Sequence, residues 1–269
     1  MIYKRSKKIC LMAYVLCFIF FFCENIYGEN EKKIDANQIY AKSAILIDGE
    51  SNRVLYEKNG YEKMAMASTT KIMTCLIALE NSKPDDIVEF SSYASSMPNV
   101  KLGASSGKKF RMGDLLYSLM LESHNDTAVA IAENIAGSTE AFANMMNKRA
   151  KEIGTKNTNF VTPNGLDDPK HYTTAYDLAI IAAEAIKNEE FLKIINTVSY
   201  SFCDIKEQCS YNVNNKDAFL QMIDGAIGIK TGFTGNAGYC FVGAVRQNNK
   251  TLISVVLASG WPPDKTYKW

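Results

Sequence analysis

The segments of this chain that read as β-strands lie towards its two ends, and those that read as helices lie between them. Ser43-Ala44-Ile45-Leu46-Ile47-Asp48 and Arg53-Val54-Leu55-Tyr56-Glu57 are aliphatic and β-branched, and Gly49-Glu50-Ser51-Asn52 joins them as a hairpin turn. Residues 226–232, 238–246 and 251–259 carry the same signature. Between the two groups the period changes. An apolar run after Lys71 predicts a helix ending near Asn81, and Asp114 is expected to cap another through Leu121. Further helices are predicted from Asn125 to Ala136, over 141–153 and over 174–187, with 84–112 read as mixed turns. Strands so far apart pair only if both ends of the chain return to one sheet. The expected fold is therefore α+β: one sheet formed from both chain ends, with helices packed against it.

Composition narrows the functional classes. The chain has 269 residues, 47% of them hydrophobic, enough for one large core or two modest ones. Its 30 basic and 29 acidic residues leave a formal charge of +1, which gives no electrostatic footprint for nucleic acid. Lys4, Arg5, Lys7 and Lys8 precede an apolar run from Ile9 to Phe22, and Ile26-Tyr27-Gly28 offers a cleavage site. Residues 1–28 therefore read as a signal peptide, 29–42 as a polar lead-in and 43–269 as the functional domain. The mature protein is expected outside the cytoplasm, touching a membrane only if the leader stays uncleaved. Cys10, Cys17 and Cys23 fall in that leader. Cys75 and Cys240 sit in apolar runs and read as core, while Cys203 and Cys209 are left open as a small disulfide loop. His124 and His171 are the only histidines, and no Cys/His spacing suits a metal.

Chemistry enters at Ala67-Ser68-Thr69-Thr70-Lys71, where Ser-x-x-Lys opens the apolar helix. Three residues make nearly one helical turn, so Ser68 and Lys71 share a face. A serine hydroxyl needs a neighbouring base, and a lysine amine becomes one when burial or a second cation lowers its pKa. Alone the motif is common: Ser105-Ser106-Gly107-Lys108-Lys109 contains it twice. Two later triplets give it weight. Ser123-His124-Asn125 falls between two predicted helices, and Lys230-Thr231-Gly232 ends a strand-like run. Ser210-Tyr211-Asn212 is a second Ser-x-Asn, but Lys-Thr-Gly occurs once. The ordered trio is the signature of β-lactamases and penicillin-binding proteins.

At this point the chain resembles the low-molecular-weight penicillin-binding proteins that act as serine-type D-alanyl-D-alanine carboxypeptidases. The likeness also covers 114–117, 125–130, 164–168, 173–178 and 228–234, and runs from about Ala41 to Gly260. It implies a β-lactamase/transpeptidase-like fold, an antiparallel sheet from both chain ends with helices on both faces and a helical subdomain, and a substrate peptide ending in D-Ala-D-Ala, with β-lactams as inhibitors and no cofactor. By the same resemblance, Ser68 would be the nucleophile, Lys71 its base and Ser123 the proton relay to the departing D-alanine. Asn125 would hold the substrate amide and Lys71; Lys230 and Thr231 would bind the substrate carboxylate; Gly232 would let the strand edge approach the substrate. The backbone N–H groups of Ser68 and Phe233 would form the oxyanion hole. Lys216 is a candidate second cation. His124 stands where the family usually has a small residue, and reads as an edge substituent, not a base.

Two other functions compete. A class A β-lactamase would carry Glu-x-x-Leu-Asn well downstream of Ser-x-Asn, whereas Glu140-Ala141-Phe142-Ala143-Asn144 is too near Asn125 and reads as a helix face. A non-catalytic wall-binding protein on the same fold would have no need of both lysines. The family's β-rich second domain is expected to be absent, and its closing helix, which packs on the sheet, to be missing or short.

Overall fold

The computed structural model describes residues 39–206 and 208–260. The predicted leader, most of the lead-in and residues 261–269 lie outside this range, and with them the expectations for signal cleavage and a closing helix. Within it the chain runs β1 (Ser43–Asp48), β2 (Val54–Lys58), a 3₁₀ turn (Ala67–Thr70), α1 (Lys71–Asn81), β3 (Ile87–Glu89), α2 (Ser92–Ser95) and β4 (Lys109–Arg111). It continues with α3 (Met112–Tyr117), α4 (Asn125–Ala136), α5 (Thr139–Ile153), α6 (Ala175–Ala185), α7 (Glu189–Ile195), β5 (Ser199–Cys203), β6 (Ser210–Asn214), β7 (Ala226–Thr234), β8 (Gly238–Gln247) and β9 (Lys250–Ser259).

Both ends do meet in one antiparallel sheet, ordered β2-β1-β9-β8-β7. The seam between the chain's two halves is β1 on β9, with Ile45 opposite Val255 and Ile47 opposite Ile253. Period-2 alternation turns these four side chains, with Leu257, Val242 and Ala244, to one face, where each is at most 2% exposed. Helix α6 crosses that face at β9 and β1. On the opposite face Phe219, from the 3₁₀ turn Ala218–Gln221, meets Phe241 edge-on at 5.3 Å. Helix α1 is apolar nearly all round, and Ile72, Met73, Cys75, Leu76, Ile77 and Ala78 are all buried. Such a helix has to be enclosed, and α4, α5 and α6 enclose it.

Several boundaries differ from the sequence reading for local reasons. Asp114 does not cap a helix: Arg111 stands at the cap and Asp114 sits in the first turn of α3, where a carboxylate suits the positive helix end. The helix does not continue regularly to Leu121, because Ser118–Glu122 opens into a π-turn that ends at Ser123 with φ 67°. Ser138 and Thr174 cap α5 and α6 through side-chain oxygens, so those helices begin at Thr139 and Ala175. The short α7 and the β3–β4 and β5–β6 ribbons carry too few residues for a periodic signal. Cys203 pairs with Ser210, and the next rung brings Asp204 N–H to the Cys209 carbonyl, so the two cysteines point to opposite faces of the β5–β6 ribbon. Both are free thiols, and Cys209 Sγ instead accepts from Lys108 Nζ at 2.8 Å.

Candidate active site

The site forms where the start of α1, the start of α4 and the edge strand β7 converge. Ser68 lies on the 3₁₀ turn and not on the α-helix proper. In a 3₁₀ turn residues i and i+3 eclipse, which sets Lys71 directly beneath Ser68. Lys71 Nζ lies 3.0 Å from Ser68 Oγ and donates to Asn125 Oδ1 at 2.9 Å and to the Asn164 carbonyl at 2.7 Å. The orientation of the Asn125 amide is fixed from its other end, since Nδ2 donates to the Pro98 carbonyl at 3.3 Å. Its backbone N–H reaches the Val100 carbonyl, tying the Pro98–Gly103 loop to α4. Buried Asp126 completes that tie by accepting from the N–H groups of Leu102 and Gly103.

Lys71 is fully buried, and its ammonium form is disfavoured accordingly. Burial holds its pKa well below the usual lysine range; the nearby Lys230 ammonium adds to that and Asp126 opposes it. Lys230, 2% exposed, is itself lowered to about 8 by burial, with Asp217 acting against the shift. Its Nζ donates to the Thr231 carbonyl at 3.0 Å. Thr231 is half-buried one residue on, and the Phe233 ring is exposed against Tyr239 at 4.5 Å. Strand β7 is the last in the sheet order, so one backbone edge is unpaired by the sheet. Gly232 fits that strand against the Ser68 turn: a Cβ there would stand 2.8 Å from Ser68 N and 3.0 Å from Thr69 N. The glycine is thus already required by contact with the protein's own backbone, before any substrate approaches.

Ser123 occupies the left-handed region where the π-turn ends, and its buried Oγ finds no hydrogen-bond partner among the described residues. His124 is not an edge substituent. It is 8% exposed, and its Nδ1 lies 2.8 Å from Ser118 Oγ, which in turn lies 3.0 Å from Thr127 Oγ1. Burial lowers its pKa, keeping the ring neutral. Lys216 is engaged elsewhere: its Nζ pairs with Glu122 at 3.3 Å. The two other Ser-x-x-Lys matches lie on the turn leading into β4, where Lys108 pairs with Asp204 and Lys109 with Glu89. Sequence reasoning missed Asn164, Thr70 and His171. Asn164 acts through a backbone carbonyl, which leaves no residue-type signature; the Pro163-Asn164-Gly165 turn was the available signal.

A family model described as Peptidase S11, D-alanyl-D-alanine carboxypeptidase, matches residues 30–260. The D-alanyl-D-alanine carboxypeptidase DacF of Bacillus subtilis is 38% identical over 230 residues, covering 84% of this chain and 59% of that protein. DacA of Haemophilus influenzae, of the same description, is 34% identical over 266 residues, covering 94% of this chain and 65% of that protein. This chain therefore spans less than two thirds of either relative. The crystal structure of the Streptomyces K15 DD-transpeptidase superposes with a TM-score of 0.78 at 32% identity, covering 84% of this chain and 93% of that one. The fold is β-lactamase/transpeptidase-like. On the match over 30–260 and on these identities, the chain belongs to the D-alanyl-D-alanine carboxypeptidase family of S11 peptidases.

Proposed function

We propose that this protein is a serine D,D-carboxypeptidase that removes the terminal D-alanine from peptidoglycan stem peptides through an acyl-Ser68 intermediate, and that penicillin inhibits it. The observation that carries this is the environment of Lys71. Two of its three neighbours, Asn125 Oδ1 and the Asn164 carbonyl, only accept hydrogen bonds. A neutral amine has two hydrogens, and they go to these two. Its lone pair is then left facing Ser68 Oγ at 3.0 Å, where it takes the hydroxyl proton. Burial and Lys230 supply the neutrality.

Ser68 Oγ attacks the carbonyl carbon between the two D-alanines as its proton passes to Lys71. The tetrahedral oxyanion is received by the backbone N–H groups of Ser68 and Phe233, each worth roughly 3 kcal/mol in comparable sites. The carbon–nitrogen bond breaks as the departing amine takes a proton through Ser123. Asn125 holds the substrate amide, and Lys230 with the Thr231 hydroxyl binds the terminal carboxylate. The peptide backbone lies along the open edge of β7 as an added strand. Water, deprotonated by Lys71, then cleaves the ester and restores Ser68. No cofactor or metal takes part. The loop 160–168 facing Lys71 contains no glutamate to activate that water for a drug ester, which favours a persistent penicilloyl adduct over β-lactamase turnover.

The substrate sets the location. Peptidoglycan lies outside the cytoplasmic membrane, in accord with residues 1–28 as a signal peptide and 43–269 as the catalytic domain. No helix among the described residues is long and apolar enough to cross a membrane. The test is intact mass after brief exposure to benzylpenicillin, together with D-alanine release from a peptide ending in D-Ala-D-Ala. One stable adduct and D-alanine release, both lost in Ser68→Ala, are expected. Drug hydrolysis without an adduct, or folded protein inert in both assays, overturns the reading.

A further inference from the structure

We propose that His171 is a positioning residue for acylation, fixing through Thr70 the backbone from which Ser68 presents its N–H and hydroxyl. The proposal rests on the acyl-Ser68 reading above. Ala67, the residue before the nucleophile, is in the left-handed region at φ 47°, a conformation that a non-glycine residue holds only when its surroundings impose it.

The hydrogen bonds around Ala67 leave one assignment. Thr70 Oγ1 donates to the Ala67 carbonyl at 2.8 Å, and a hydroxyl has one hydrogen. The contact between Thr70 Oγ1 and His171 Nε2, also 2.8 Å, must therefore run from the ring N–H to the hydroxyl. That places the lone pair of His171 on Nδ1, which accepts from the N–H groups of Val161 at 3.0 Å and Thr162 at 3.3 Å. Every polar atom of the buried ring is used in one direction, from the 160s loop through His171 and Thr70 to the Ala67 carbonyl. The ring is 4% exposed, and burial lowers its pKa to about 4, in keeping with this neutral tautomer.

The same loop touches the nucleophile turn and the start of α1 at three more points. Gly165, φ 85°, packs so closely on the Ala67 carbonyl that a Cβ would stand 2.0 Å from its oxygen. The Asn164 carbonyl accepts from Lys71, and the Pro163 carbonyl from Thr74 Oγ1 at 2.6 Å. Both ends of the Ser68–Lys71 pair are thus referenced to one loop: Lys71 directly, and Ser68 through Thr70 and His171. A ring that merely filled the core would not need its N–H aimed at a hydroxyl inside the Ser-x-x-Lys turn.

Benzylpenicillin acylation followed by intact mass over a range of drug concentrations separates the acylation rate constant from the preceding dissociation constant. Thr70→Val should lower the rate constant by about tenfold or more and leave the dissociation constant within about twofold, because orientation and not binding is lost. Thr70→Ser keeps the hydroxyl and should restore most of the rate. His171→Gln should slow acylation in the wild-type background and add nothing to Thr70→Val, since the two act in series. Thr70→Val with a lowered melting temperature but an unchanged rate constant would overturn the proposal, as would independent, multiplying effects of the two substitutions. If Thr70→Val does not fold, His171→Gln alone decides by whether the rate constant or the dissociation constant moves. Wild-type protein that forms no adduct would instead overturn the acyl-Ser68 reading, before any variant is compared.

Discussion

Gly232→Ala puts the proposed oxyanion hole under a steric test that the structure makes quantitative. The new Cβ would meet Ser68 N at 2.8 Å, Thr69 N at 3.0 Å and Ala67 Cβ at 3.2 Å. Ordinary Cβ contacts begin near 3.4 Å, so β7 and the nucleophile turn must part by about 0.6 Å. Two of the three atoms are main-chain nitrogens and have no rotamer to escape into. Ser68 N–H is one proposed oxyanion donor, and a bond of about 2.9 Å stretched by that amount reaches the limit of a useful hydrogen bond. Losing one such donor costs about 3 kcal/mol in the transition state, or roughly 10²-fold in rate at about 1.4 kcal/mol per decade. The stability cost should be smaller, about 1–2 kcal/mol, because β7 is paired on one side only and can shift outward. The acylation rate constant for benzylpenicillin, read beside the melting temperature, separates the two effects. A Gly232→Ala protein that acylates at the wild-type rate would refute the argument, since Ser68 N–H and β7 could not then share the oxyanion.

The remaining predictions concern protonation and covalent state. Acylation should rise with pH as Lys71 loses its proton, well below the usual lysine range, and fall again through about pH 8 as Lys230 discharges. Lys230→Arg should move only the falling limb upward, because a guanidinium stays charged; an unmoved limb would assign it to another group. His171 titrates at about 4 in the folded protein against 6.5 in the open chain, so between those values the unfolded state binds the extra proton. Its contribution, about 3 kcal/mol, is complete above pH 6.5 and disappears as pH falls towards 4. Urea titrations of wild type and His171→Gln should therefore show a stability gap that narrows over that window; a constant gap would contradict the linkage. Cys203 and Cys209 face opposite sides of their ribbon, so both should react with a thiol reagent in the native protein, and reductant should leave the melting temperature unchanged.

What the sequence made legible follows from where the physical information resides. The sheet was readable because Ile45, Ile47, Ile253 and Val255 alternate with outward residues, and such strands bury one face only in one register. Helix α1 was readable to its end at Asn81 because an apolar run interrupted by few polar residues has no other place to go. The π-turn at Ser118–Glu122 was not, since it is set by the demand that Ser123 turn left-handed while Asn125 opens the next helix. Within the site, side chains with distinctive chemistry announced themselves, and those acting through main-chain atoms did not. Lys71 was visible as a candidate base, but the carbonyl of Asn164 that orients its amine was not. His171 entered the sequence reading only as one of two histidines without metal-ligand spacing, and residue type alone says nothing of what its ring would meet. Its ring meets a threonine, Thr70, 101 positions away in sequence, and only the fold reveals that the bond leads on to the Ala67 carbonyl, just before Ser68. Motifs record which groups can react. The hydrogen bonds that decide whether those groups meet at 3.0 Å are distributed over loops whose residue types are individually unremarkable.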